Sequence, residues 1–300
     1  MIHRFDLALP QGITLACRAN VASASSGSGG PRPRVMLLHG FPEAAFAWDE
    51  ILQRLQGRVD AVAPNLRGYP GSSAPAGVPA YHPRELVADL AAAIEAMGAP
   101  LDLLVAHDWG GALAWNLAAA RPALMKRLLV VNAPHPAAFL RELRHNPEQQ
   151  AAGAYMNFLR RPDAASLLAE NGFARLWRFF GETPPAWLTP ALRQAYEAAW
   201  QAGLEGPLNY YRASPLHPPL GPDDALHRLE LPDAAVSVRL PTTVLWGEAD
   251  VALRPALLDG LERWVPQLHV ERVPEAGHWI VHEQPARVAG WVERLAQAGA

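Results

Sequence analysis

Apolar residues along this chain fall into two rhythms. Nearly continuous apolar runs at residues 34–38, 60–64, 101–105, 127–131 and 242–246 have the length of buried strands, and 269–273 reads as the last strand. Between them, apolar positions recur at helical spacing over 44–55, 83–97 and 112–120, and a closing amphipathic helix is expected over 284–296. Strands that alternate with helices predict a mostly parallel sheet covered on both faces. Two shorter segments, 5–9 and 13–18, flank the turn Pro10-Gln11-Gly12 and predict an antiparallel hairpin at one sheet edge. The Ser-, Gly- and Pro-rich run 22–33 has no periodicity and is expected to be a surface loop. The rhythm changes between 135 and 239, where helical stretches occur without a convincing buried strand. Helices are expected there over 147–160, 174–180, 188–202 and 205–212, followed by a Pro-rich return over 215–222. The expected organisation is an α/β core, residues 1–134 and 240–300, with a helical cap, 135–239, inserted into it.

Composition narrows the class. The chain has 300 residues, 50% of them hydrophobic, enough for one large domain or a domain with an insertion around a buried core. Its formal net charge of -3 is spread without long like-charge runs, which argues against nucleic-acid and membrane surfaces and favours a small neutral, largely apolar substrate. Cys17 is the single cysteine, so no intramolecular disulfide can form and no zinc spacing can be built from it. The N-terminus lacks a basic region followed by an apolar one, and no long charge-free apolar stretch follows. A soluble, cytoplasmic protein without cofactor or metal is expected, and a homodimer stays open.

The chemistry concentrates at Ala106-His107-Asp108-Trp109-Gly110-Gly111, where a strand gives way to a helix. Small residues at Ala106, Gly110 and Gly111 leave room for a sharp bend that lifts Asp108 clear of the sheet edge, as in a nucleophile elbow. An aspartate that merely capped the helix would not need the glycines around it. A serine suits an acyl carbon, but at a saturated carbon it would form an ether that water could not cleave. A carboxylate forms an alkyl ester there, which water reopens at the carboxylate's own carbonyl. Asp108 therefore points to opening an epoxide or displacing a halide. His278, in the loop after the last predicted strand, is the natural base for that water. Asp250, after the preceding strand, is expected to hold the imidazole and stabilise its charged form, with Glu248 as the second choice. Asn132 occupies the alternative acid position and cannot serve as the acid.

At these residues the chain resembles the α/β-hydrolase fold epoxide hydrolases, in His39-Gly40-Phe41-Pro42-Glu43, Arg67-Gly68-Tyr69 and His107-Asp108-Trp109-Gly110-Gly111. The likeness covers most of the chain. It implies the α/β-hydrolase fold, opening of an epoxide to a vicinal diol, and no cofactor. It also implies two cap tyrosines that hydrogen-bond the epoxide oxygen, matched by Tyr211 and Tyr155, while Tyr210 reads as a packing neighbour. The backbone N–H groups of Phe41 and Trp109 are expected to form the oxyanion hole. Two related families share the aspartate. Haloalkane dehalogenases hold the halide between the Trp after the nucleophile, here Trp109, and a second donor, often Asn, where this chain has Phe41. Fluoroacetate dehalogenases clamp a carboxylate with arginines at the positions of Trp109 and Ala112. Dehalogenation and a non-catalytic ligand-binding role remain the alternatives. His39 and His107 are expected to brace loops and Arg67 to tie them together. Trp48, Phe158, Trp177, Phe180 and Trp279 either line a pocket or fill the core.

Overall fold

The computed structural model describes residues 1–22 and 32–298, so most of the predicted loop over 22–33 lies outside the described residues. Eight strands form one sheet: β1 (His3–Ala8), β2 (Thr14–Ala19), β3 (Arg34–Leu38), β4 (Asp60–Pro64), β5 (Leu103–His107), β6 (Leu128–Val131), β7 (Thr242–Gly247) and β8 (Leu268–Val273), in the order β1-β2-β4-β3-β5-β6-β7-β8. The β1–β2 hairpin pairs antiparallel, with His3 opposite Ala19, and β2 runs antiparallel to β4. Every other pairing, from β4 across to β8, is parallel. This is the α/β-hydrolase architecture expected from the alternation of strands and helices.

The central strands are apolar throughout because both of their faces are covered. Along β3, Val35 and Leu37 join one buried cluster and Met36 and Leu38 the other, as the two-residue period of a strand requires. The first cluster is closed by α1 (Asp49–Arg54) and by the C-terminal helix. The second is closed by α2 (Pro83–Ala96) and α3 (Asp108–Ala120) and continues into the helical segment between β6 and β7.

That segment contains α4 (Pro136–His145), α5 (Pro147–Ala152), α6 (Tyr155–Leu159), α7 (Ala164–Trp177), α8 (Pro190–Gln201), α9 (Glu205–Ala213) and α10 (Asp233–Val236). The chain then finishes β8 and adds α11 (Ile280–Glu283) and α12 (Pro285–Gln297). Three features differ from the sequence reading. Helix α4 was not expected, because His135-Pro136 looks like loop punctuation. Here the His135 ring accepts from the Ala137 N–H and Pro136 takes the first helical turn, where its missing N–H costs nothing. The helix expected over 147–160 is split at Gly153, which ends α5 and packs closely beneath Pro218. Helix α7 starts ten residues before the expected stretch 174–180 and is interrupted, with Asn171, Gly172 and Phe173 at φ of 51°, 63° and 63°. Apolar periodicity across that break loses its phase, so only the second half was visible. Among the described residues no helix is long and apolar enough to cross a membrane.

Candidate active site

The bend between β5 and α3 sets Asp108 at φ 49°, a left-handed conformation that few non-glycine residues adopt. Strand β5 ends extended at His107, and α3 begins at Asp108 itself. Two glycines allow this crowding. A Cβ on Gly40 would meet Asp108 Oδ1 at 2.2 Å, and one on Gly111 would meet the Ala133 Cβ at 2.2 Å. The Phe41 N–H donates to Asp108 Oδ1 at 2.8 Å, so one carboxylate oxygen already rests on an expected oxyanion-hole donor. Trp109, the other expected donor, follows Asp108 in the first turn of α3, and its indole packs edge-on to Tyr211 with centroids 4.9 Å apart.

Asp108 Oδ2 faces His278 Nε2 at 3.7 Å, beyond direct hydrogen-bond reach. The other side of the ring donates from Nδ1 to Asp250 Oδ2 at 2.7 Å. Asp250 is wholly buried, and four donors satisfy it. The Ala252 and Leu253 N–H groups reach Oδ1 at 2.8 and 2.9 Å, and Asn132 Nδ2 joins His278 at Oδ2, at 2.8 Å. Burial alone pushes the Asp250 carboxyl up, but the charge and hydrogen bond of His278 and these donors hold it below the usual range. Burial likewise pulls His278 down, and the charge and hydrogen bond of Asp250, then the charges of Asp108 and Glu43, outweigh it and lift the imidazole to about 9. Glu248, the second choice of acid, instead pairs with Arg272 at 2.8 Å on the surface side of the sheet end.

Asp108, His278, Tyr155 and Tyr211 open onto one cavity of about 590 Å³. Loops after the strands form its floor, and α5, α6, α7, the turn 178–181 after α7, and α9 bring its walls. Phe158, Phe180 and Trp279 line it, whereas Trp48 lies in the core behind the sheet and Trp177 packs on Trp200. Burial and the nearby Asp108 charge raise both tyrosine hydroxyls above their ordinary range, so each stays protonated and able to donate. Tyr210 turns away and donates to the Arg67 carbonyl at 2.8 Å, a packing role as expected.

The flanking residues act as braces. His39 donates from Nδ1 to the Gly40 carbonyl at 2.9 Å and accepts the Leu66 N–H on Nε2 at 3.1 Å, and burial drops its ring to about 4, so it is neutral. His107 Nε2 donates to the His278 carbonyl at 2.9 Å. Arg67 is held in a buried pair with Asp89 at 2.6 Å. Three side chains escaped the sequence reading. Asn132, set aside as an acid, instead orients the acid. Glu43, wholly buried, takes hydrogen bonds from Tyr196 and His282 at 2.6 Å each and lies 3.2 Å from His107 Nδ1. Glu283 accepts the Gly277 N–H at 2.6 Å. Glu43 stands inside the His39 loop motif and was within reach of the reading, but no sequence signal marks the other two.

Residues 33–285 match the alpha/beta hydrolase fold family. The AB hydrolase superfamily protein YfhM of Bacillus subtilis is 33% identical over 285 residues, 92% of each chain. Epoxide hydrolase 3 of Mus musculus is 33% identical over 276 residues, 89% of this chain and 71% of its own. Among solved structures, a Bacillus megaterium epoxide hydrolase in complex with an inhibitor superposes with a TM-score of 0.85 at 30% identity, covering 97% of this chain and 99% of that one. With a nucleophile elbow on an eight-stranded sheet and these relatives along nearly its whole length, the chain belongs to the α/β-hydrolase fold family, on the branch that holds the epoxide hydrolases.

Proposed function

We propose that this hydrolase opens a small, neutral, largely apolar epoxide to a vicinal diol through an alkyl ester on Asp108, with residues 135–239 as a cap over the site. The observation that carries the reading is the sharing of one cavity by a carboxylate at a nucleophile elbow and two tyrosines, Tyr155 and Tyr211. Asp108 Oδ2 attacks an epoxide carbon and the C–O bond breaks, while Tyr155 and Tyr211 donate to the departing oxygen. The proton that neutralises this alkoxide comes ultimately from the His278 imidazolium through the tyrosine hydroxyls. Ester formation removes the Asp108 charge that helps hold that proton on His278, so the ring is readier to act as a base when it is next needed. Neutral His278 then takes a proton from water, which adds to the ester carbonyl. The Phe41 and Trp109 N–H groups receive the oxyanion. Collapse expels the diol oxygen, which takes the proton from His278; Asp108 emerges as the carboxylic acid and passes the remaining water proton to His278, which restores the carboxylate and the imidazolium.

A halide would need a second donor where Phe41 presents only a phenyl ring, which makes the dehalogenase reading weaker. A single turnover in heavy-oxygen water tests the proposal. The label is expected in the Asp108 carboxylate and absent from the first diol. Label in the diol, with none in Asp108, would mean direct attack by water and would refute the ester.

A further inference from the structure

The base stands in a short loop that closes on itself. Glu283, the last residue of α11, turns back so that Oε2 accepts the Gly277 N–H at 2.6 Å, while its own N–H and that of His282 donate to the Trp279 carbonyl at 2.9 and 2.8 Å. A Cβ added to Gly277 would lie 3.2 Å from Glu283 Oε1, so the carboxylate rests against the peptide that precedes His278. On the far side of His278, its carbonyl accepts from His107. The backbone of the base is thereby fixed at two points, and Asp250 fixes its ring. Glu283 also lines the same cavity as Asp108 and His278, although the two-step reaction assigns it nothing. A loop that needed only a tether could use any acceptor. A half-buried carboxylate carries a desolvation penalty instead, and burial raises its carboxyl against the opposing Gly277 hydrogen bond and His278 charge.

We propose that Glu283 is a positioning residue for ester hydrolysis: it holds the Gly277–His278 peptide so that Nε2 faces Asp108, and its negative charge helps stabilise the imidazolium. The inference rests on the two-step reading above. The other charged or titratable groups around His278 are Asp250 after β7, Asp108 on α3, Glu43 after β3, His282 on α11 and His107 at the end of β5, whose ring centroid is 4.9 Å from that of His278. Asp250 dominates, Asp108 and Glu43 follow, and the Glu283 carboxylate adds a smaller field of the same sign as these.

The test is rapid-quench measurement of ester formation and ester decay across pH, in Glu283→Ala and Glu283→Gln, with an epoxide that the wild type accepts. Glu283→Ala is expected to form the ester within about threefold of the wild-type rate and to hydrolyse it at least about tenfold more slowly, since about 1.4 kcal/mol of misplacement suffices. Glu283→Gln keeps an acceptor for the Gly277 N–H, so decay should recover to within about threefold. Its pH limb for decay should move lower, by up to about one unit, because a negative charge near the imidazolium is gone. Unchanged decay in Glu283→Ala, parallel loss of formation and decay, or an unshifted limb in Glu283→Gln would each overturn the role. Should Glu283→Ala fail to fold, the limb in Glu283→Gln decides alone. A wild type that turns over epoxide with no ester would overturn the two-step reading and this role with it. A wild-type ester that both variants form and hydrolyse normally would overturn this role only.

Discussion

In the proposed reaction Tyr155 and Tyr211 carry the distinction between opening an epoxide and displacing a halide. Tyr211 is buried and Tyr155 half-buried, and their surroundings, including the charge of Asp108, disfavour their ionisation, which keeps them as donors over the working pH range. Replacing either with Phe removes one of two donors to the developing alkoxide. Single-turnover ester formation should fall about 10²-fold in each variant, by analogy with losing one oxyanion donor, while decay of an ester already formed should change little. Equal slowing of both steps would take the tyrosines out of ring opening. The candidate nucleophile, base and acid, Asp108, His278 and Asp250, were legible in the sequence because each follows a predicted strand. Asn132 and Glu283 were not. Their pairing with Asp250 and Gly277 is set only by where the chain folds, and neither residue type is distinctive at such a position.

At the level of elements, the central strands were readable because both faces of the sheet are covered there, so they announce themselves as apolar runs, whereas β1, β2 and β8 at the edges mix more and less exposed positions. The helices between β6 and β7 announced themselves poorly. Their ends depend on local devices, such as the His135 cap and the left-handed run in α7, that hydrophobic periodicity does not record. The junction of β5 and α3 was the clearest element of all, since its small residues have a steric purpose. Gly111→Ala should make that purpose measurable, because its new methyl would meet the Ala133 Cβ at 2.2 Å. We expect a loss of about 1–3 kcal/mol in urea unfolding from overpacking, accompanied by a fall in kcat as α3 is displaced and Asp108 with it. A variant with wild-type stability and turnover would show that the packing of α3 on the loop after β6 does not set the elbow.

For the whole molecule, opposing histidines predict how stability depends on pH. His39 and His135 are buried and lowered from 6.5 to about 4, so the unfolded chain binds more protons there and stability falls as pH drops from 6.5 towards 4. His278 is raised from 6.5 to about 9, so its contribution is complete below 6.5 and is lost as pH rises through 9. The melting temperature should therefore peak near pH 6.5, and His278→Gln should flatten the alkaline side while leaving the acid side in place. An alkaline side unchanged in that variant would contradict the assignment. The cavity's division of labour has a different kind of consequence. Asp108 and His278 stand on the sheet side and Tyr155 and Tyr211 on α6 and α9, while Ala152 on α5, Phe158 on α6 and Leu168 on α7 add apolar wall without a polar group of their own. A combinatorial library confined to Ala152, Phe158 and Leu168 would thus explore which substrates enter, and which enantiomer is preferred, against an almost constant chemical background. Selectivity is then expected to be tunable at these three positions while Asp108, His278, Tyr155 and Tyr211 stay in place.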